Sequence, residues 1–336
     1  MSEKIELFSK NTNNLVIRNV DKSPFLDYYA NKVIKMEQLI YAFCSGVTSP
    51  ETLILVESIR EFGGDFSSNP IWLFTKKTLD EIPKDLLSKL EQLNVNVYSL
   101  EIDPEIANFR FIEHVYAAAK AEEMALKKTE NLVFLGTNSL FFDSPRKFLL
   151  EEGINLGYRP VHHKLIGSLY DEPIDYFWSL IYQKCDVNQE KVFPMQTHVD
   201  GQILRPYISS GCLIVNPERG FFKAWWDRYK IIHKEPIFKE FYEKYDLYVV
   251  FIHQAVLSAV MLSELDPEEI MELPFNYNYP INLYHESLEE FKPKNFEKLV
   301  TARYYLEKIV EEDEFNKIPF TEPMKSWLEK RIVVKD

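Results

Sequence analysis

The sequence predicts an α/β protein built on a mostly parallel central sheet. Three observations carry this reading. Short apolar runs alternate with helix-patterned stretches over residues 38–135. Those runs are apolar on successive residues, as in strands buried on both faces. Hydrophobic residues make up 46% of the 336 positions, which is enough to bury a sizeable core. Length leaves open whether that core serves two domains or one large domain with appendages.

The first strand spans Gln38 to Cys44 and runs into Ser45-Gly46-Val47. A helix is expected next, with Ser49 as N-cap, Pro50 at the first helical position and Glu51 at the positive end of the helix dipole. Leu55, Ile59 and Phe62 form its apolar stripe, and Gly63-Gly64 supplies a left-handed stop. Ile71 to Phe74 is the second strand, which completes a β-α-β unit. A helix from about Leu79 to Leu93 and a strand at Val95 to Tyr98 repeat the pattern. Phe111, Val115, Ala118, Ala121 and Ala125 recur at helical spacing before a fourth strand, Leu132 to Leu135. Such alternation favours parallel strands joined by right-handed crossovers.

Beyond Leu135 six prolines, at 145, 160, 173, 194, 206 and 217, punctuate the chain, so short strands of mixed direction near a sheet edge are expected. Leu204 to Pro217 reads as a strand, and Asn216-Pro217 as the start of a helix carrying Phe222, Trp225, Trp226, Tyr229 and Ile232. A helix from near Tyr248 is apolar nearly all round and should be buried. The Glu- and Lys-rich segment from Glu286 reads as helices on the surface. The organisation expected is an N-terminal extension over 1–37, a main domain over 38–285 and a helical tail over 286–336.

Composition excludes several classes. Acidic residues outnumber basic ones, 52 to 39, and no Lys/Arg-rich run offsets the net charge of -13, so nucleic acid is not an expected partner. Cys44, Cys185 and Cys212 lie far apart, without C-x-x-C or a histidine cluster, which argues against disulfides and structural zinc. The stretch 249–262 is interrupted by His253, Gln254 and Ser258, and the first ten residues lack an apolar core. No membrane span is therefore expected, and the predicted location is cytoplasmic. G-x-G-x-x-G, Walker A, H-E-x-x-H and G-x-S-x-G are all missing.

Parallel sheets bind ligands at the carboxyl ends of their strands, so the residues after Cys44 and Leu135 are the first candidates. Arg159, His162, His163 and Lys164 form a basic cluster. In a strand, His162 and Lys164 would share one face; a solvated edge strand is the alternative. Arg205 and the Arg146-Lys147 pair are further cations. Ser209, Ser210 and Gly211 offer small hydroxyls and close backbone approach, suited to a polyol or equally to tight strand packing. Asp200 is a candidate base on the acceptor side, or the first residue of an Asp-Gly turn. Trp225 and Trp226 are sugar platforms or core.

Four segments together resemble the GT-A group of nucleotide-sugar glycosyltransferases, of the glycogenin-like and lipopolysaccharide-sugar-transferase type. The first is Tyr41-Ala-Phe-Cys-Ser-Gly-Val47, where such proteins cradle the base and ribose; it brings in Phe43, Cys44, Ser45, Gly46 and Val47. The second, Asn131 to Phe142, is similar to the apolar strand that runs into D-x-D, with Gly136-Thr137-Asn138 at the motif. Tyr207 to Pro217 is similar to F-N-S-G-V-x-V-x-N-P, which lies beside the sugar. The fourth joins Ile252-His-Gln-Ala255, where relatives carry D-Q, to Leu273-Pro-Phe-Asn-Tyr-Asn278, which resembles L-P-x-x-Y-N and adds Asn276 and Asn278.

The resemblance implies a three-layer α/β/α fold, a UDP- or GDP-sugar donor, and a glycan or small-molecule acceptor. At the family-matched positions His253 and Gln254 face the sugar or acceptor, with His253 as acid, base or hydrogen-bond donor; a satisfied core histidine is the alternative. One departure is chemical. Two aspartates of D-x-D hold a divalent cation, Mn or Mg, across the sugar diphosphate. Gly136 has no side-chain ligand and Asn138 is neutral, so a tightly held metal is not expected. His285 stands about where relatives supply a histidine ligand. The expected function is sugar transfer without a tightly bound metal. The alternatives are a catalytically inactive relative that binds a nucleotide, glycan or protein, and an unrelated chemistry on a similar sheet.

Overall fold

The computed structural model describes residues 37–47 and 49–332. The expected N-terminal extension therefore lies outside the described residues, apart from Glu37, which bridges to Thr129.

Four strands form the parallel half of the main sheet: β1 (Ile40–Cys44), β2 (Ile71–Thr75), β3 (Val95–Ser99) and β4 (Leu132–Leu135). Three helices connect them: α1 (Pro50–Phe62), α2 (Lys84–Gln92) and α3 (Ile112–Ala125). Alternation along each strand sorts its side chains between two cores. Ile40 and Ala42 of β1, with Leu132 and Phe134 of β4, pack towards α3. Tyr41, Phe43, Val133 and Leu135 pack on the opposite face against Leu55, Val56 and Ile59 of α1. Helices on both faces make the third layer.

The second expected helix is shorter than its leucine pattern. Leu79–Glu81 is a 3-10 turn, and Ile82 is held extended (ψ 131°) before Pro83, so α2 cannot begin before Lys84.

Three more strands complete the sheet: β6 (Leu156–Tyr158), β9 (Cys212–Val215) and β10 (Ile270–Glu272), in the order β10-β6-β9-β4-β1-β2-β3. β9 runs antiparallel to both neighbours, β4 and β6. The expected place near a sheet edge holds for β6, beside the edge strand β10, but not for β9, which is internal and buried throughout. Its prolines, Pro206 and Pro217, flank the strand and cost it no ladder hydrogen bond. After it, Asn216 caps a 3-10 turn at Pro217–Arg219, and Gly220 (φ 68°) turns the chain into α5 (Phe221–Ile232), which follows α4 (Tyr176–Lys184). Then come α6 (Lys239–Lys244) and α7 (Asp246–Glu264). α7 is long and apolar enough to cross a membrane by composition, yet Ile252 to Leu262 are buried within the core that holds α3, α4 and α5.

Two small sheets finish the architecture. β7 (Met195–Gln196) and β8 (Ile203–Leu204) form a hairpin. β5 (Ser139–Phe141), β11 (Tyr279–Pro280) and β12 (Thr301–Arg303) form a three-stranded sheet in the order β11-β12-β5. The tail carries short helices at Leu306–Ile309, Glu312–Lys317 and Met324–Glu329, as expected, but also the strand β12, which was not expected. Around it Leu140, Tyr279, Phe296, Tyr304, Phe315 and Trp327 build a third apolar cluster, because the aromatics between the charged residues are spaced to turn inward.

Candidate active site

The site forms where β1 and β4 end side by side. Phe43 pairs with Leu135 across the ladder, so the loops Cys44–Val47 and Gly136–Asn138 leave the sheet as neighbours. β9 enters at the same edge, with Leu135 opposite Cys212 and the Gly136 N–H donating to the Gly211 carbonyl at 2.9 Å. This brings Ser209, Ser210 and Gly211 beside Gly136–Asn138, on the side away from β1.

α7 supports that entry from behind. The Gln254 side-chain oxygen accepts from the Ser210 N–H at 3.1 Å, and the Ser258 hydroxyl accepts from the Ile208 N–H at 2.9 Å. His253 is held in one tautomer. Its Nδ1 lies 2.8 Å from the Val250 carbonyl and must donate, which leaves Nε2 to accept from the Ser210 hydroxyl at 2.9 Å. Burial pushes its pKa well below the usual range, and His114 and Arg303 push the same way. His253 is therefore neutral and fully hydrogen-bonded.

α3, packed in the same core as α7, contributes as well. His114 donates through Nε2 to the Ser210 carbonyl at 3.1 Å, and burial lowers its pKa to about 4. Phe111, just before the helix, adopts the left-handed conformation (φ 62°), an unfavourable one for an aromatic residue. Its ring lies flat on His253, with centroids 4.1 Å apart.

The expected basic cluster is a loop, not a strand, so alternation does not place His162 and Lys164. Arg159 is almost fully buried and its guanidinium is structural: it donates to Glu272 at 2.8 Å, to the Leu273 carbonyl at 2.5 Å and to the His198 ring. Both ring nitrogens of His162 and Nε2 of His163 are buried without a hydrogen-bond partner. Burial drives the His162 pKa well down, with Arg303, His198 and Arg159 adding to it.

A further cation comes from the tail. β12 runs antiparallel to β5 with Arg303 opposite Ser139, and the Tyr304 N–H donates to the Asn138 carbonyl at 3.0 Å. Arg303 Nε points to Asn138 Oδ1 at 3.3 Å. Its head lies over Gly211, where an added Cβ would stand 3.2 Å from Nη1.

The other candidates divide. Phe43 and Val47 are fully buried and serve the core. Cys44 is partly exposed with its thiol pKa raised by burial, and Ser45 shares a 2.7 Å hydrogen bond with Thr52. Gly46 and Thr137 retain exposure. Asn278 (φ 52°) is buried beside Ser209, with its amide nitrogen 3.4 Å from the hydroxyl and its Oδ1 unpartnered. Asn276 anchors the tail, its carbonyl accepting from Val300 and its amide donating to Lys298 at 2.9 Å. Asp200 sits in the β7–β8 turn, where its carboxylate accepts from the Thr197 hydroxyl and from the Lys164 backbone N–H at 2.8 Å. That bond ties the His162–Lys164 loop in place.

Several residues fall elsewhere. Arg205 binds the Leu169 and Glu172 carbonyls, and Arg146 and Lys147 pair with Asp65 and Glu151 on the surface. His285 is exposed. Trp225 is core and donates to the His253 carbonyl at 2.9 Å, while Trp226 lies beside Tyr116 in a hollow of about 410 Å³ between α3 and α5. The strand ends differ from that hollow in the polar groups that converge on them.

A divalent cation fits these residues poorly. Gly136 offers nothing, Asn138 is neutral and engaged with Arg303, and among the described residues no three His, Cys, Asp or Glu stand together as a metal site.

Sequence reading did not identify Phe111, His114 or Arg303 as site residues. A signal for Arg303 exists: Val300-Thr-Ala-Arg-Tyr-Tyr305 is a β-prone run with one charge. The acidic residues around it obscured that pattern.

A family model described as a Rhodobacterales glycosyltransferase domain matches residues 41–263, well over half of the chain. Among solved structures the chain is similar to the bifunctional glycosyltransferase WbbM in its apo form, with a TM-score of 0.52 and 12% identity over 88% of this chain and 51% of that one. It thus spans about half the length of WbbM, and the likeness is one of fold. Galactosyltransferase LgtC in complex with donor and acceptor sugar analogs gives a TM-score of 0.44 and 13% identity over 80% of this chain and 86% of that one. The glycosyltransferase GlyE of Streptococcus pneumoniae TIGR4 gives 0.45 and 14% over 88% and 60%. No curated protein sequence matches the chain.

Proposed function

The chain belongs to the Rhodobacterales glycosyltransferase domain family and has a GT-A-like fold, and from that premise we propose that it binds a nucleotide diphosphate sugar where β1 and β4 end and transfers the sugar to a hydroxyl acceptor. One observation carries the reading: the loops Cys44–Val47, Gly136–Asn138 and Ser209–Gly211 meet at one edge of the sheet. Carboxyl ends of adjacent parallel strands are where open α/β sheets take nucleotides. The base and ribose lie against the exposed Gly46 side, and the diphosphate lies over Gly136–Asn138. The sugar lies towards Ser209, Ser210 and Asn278. In the transfer, the bond from the anomeric carbon to the diphosphate oxygen breaks and a bond to the acceptor oxygen forms. The hydroxyl proton passes to the departing diphosphate or to water.

The neutral, doubly bonded His253 suits a positioning role, holding Ser210 with Gln254, better than a role as general acid. A second reading, a binding module without turnover, is favoured by Asp200, whose carboxylate is engaged in its turn and unavailable as a base.

Calorimetric titration with UDP, GDP and their sugars, with and without manganese, tests both. Saturable binding with slow sugar release supports transfer, and binding without release supports the module. No nucleotide binding removes both.

A further inference from the structure

We infer that Arg303 is the resident cation of the donor site, a guanidinium from the tail that takes the sugar diphosphate where D-x-D proteins use a metal. This inference rests on the nucleotide-sugar reading for the identity of its ligand.

Its position comes first. Register with β5 sets Arg303 opposite Ser139, the residue after Gly136-Thr137-Asn138, and Asn138 Oδ1 orients Nε at 3.3 Å. A neutral amide can aim a guanidinium without neutralising it; an aspartate there would form an ion pair and cancel the charge. Gly211 adds to the design. A Cβ at that position would meet Nη1, Cζ and Nε at 3.2, 3.4 and 3.5 Å, so the glycine leaves room for the head group.

Charge balance points the same way. Burial lowers the Arg303 pKa against an opposing influence from Tyr305, and among the described residues no carboxylate pairs with it. Enclosing a cation without a counterion is costly, and an arriving anion relieves the cost. Arg303 nevertheless keeps partial exposure, so a ligand can reach it. The second observation is independent. Both ring nitrogens of His162 and Nε2 of His163 are buried without partners, and His162 lies close enough to Arg303 to feel its charge. A neutral His162 carries one N–H, and an unpartnered N–H near an uncompensated cation suits an anion. A guanidinium fork matches phosphate oxygens in two-point contact, and the place of Arg303 beside Gly136–Asn138 is where the proposed donor carries its diphosphate.

The test titrates wild type, Arg303→Met and Asn138→Asp with UDP, GDP and inorganic pyrophosphate in EDTA, with circular dichroism as the check on folding. Losing a charge-assisted contact of this kind weakens binding by about 10- to 100-fold. Losses of that size for UDP, GDP and pyrophosphate are expected in Arg303→Met, with uridine and guanosine unaffected. A folded Arg303→Met that binds them within about twofold of wild type overturns the inference. Should that variant not fold, Asn138→Asp decides: near-isosteric with wild type, it neutralises Arg303 and is expected to weaken pyrophosphate at least as much, and unchanged affinity overturns the inference. Pyrophosphate also separates the two readings. Arg303-dependent pyrophosphate binding without nucleotide binding keeps this inference and removes the nucleotide-sugar reading; nucleotide binding indifferent to Arg303 does the reverse. A wild type that binds neither removes both.

Discussion

Arg303 Nε meets Asn138 Oδ1 at 3.3 Å across 165 residues of sequence, which joins the tail to the loop after β4. Restoring an acid pair by Gly136→Asp with Asn138→Asp therefore creates a carboxylate beside a guanidinium. The double variant is expected to form that ion pair and show no gain in diphosphate affinity with manganese. Adding Arg303→Met frees the acids, and manganese-dependent binding is expected from the triple variant. Titration with and without manganese reads both. The new Cβ at 136 would stand 2.9 Å from Oδ1 of residue 138, so a stability loss on the order of 1–3 kcal/mol is also expected.

Gly211→Ala places a methyl 3.2 Å from Arg303 Nη1. The head group is expected to shift by a few tenths of an ångström, weakening pyrophosphate about three- to tenfold, while the melting temperature changes little. Parallel titrations and melting curves check it. Unchanged affinity would mean the guanidinium does not lie over the diphosphate.

Acid should weaken the fold, with two opposing contributions. Burial lowers His114 and His198 to about 4, below the unfolded value, so each contributes stability that is full above pH 6.5 and lost as pH falls towards 4. Glu122 has the opposite sign. Burial raises it to about 7, against the pull of the Phe222 and Lys223 N–H groups, so its protonation favours the folded state as pH falls from 7 towards 4.5. Between pH 7.5 and 5, Glu122→Gln is expected to lose more stability than wild type, and His114→Gln less, each by on the order of 1–2 kcal/mol in urea titrations.

Ser258 accepts from the Ile208 N–H at 2.9 Å and donates to the Gln254 carbonyl at 2.7 Å, all within the core. Ser258→Ala leaves a buried N–H without a partner, at a cost of about 1–3 kcal/mol. Because the same contact aligns Ser209 and Ser210, weaker sugar-nucleotide binding with unchanged pyrophosphate binding is expected as well.

How legible all this was depended on the residues concerned. Ile40 to Cys44, Ile71 to Thr75 and Leu132 to Leu135 are apolar at nearly every position because both faces of their sheet are covered, so strands and order could be read directly. Their carboxyl ends pointed to Gly46 and Gly136–Asn138. The central place of β9 was hidden because prolines suggest edges, although here they flank the strand. Pro83 shortened a helix whose leucines alone implied more. Arg303 was hidden for a different reason: its role depends on pairing with β5 across the chain, and no local period encodes such a partner.

The most direct measurement is a calorimetric titration of the wild type with UDP- and GDP-sugars, first in EDTA and then with manganese. Saturable binding of equal strength in both is expected, because Arg303 already supplies the positive charge. Absence of binding to any of them, or binding that appears only with manganese, would contradict the account.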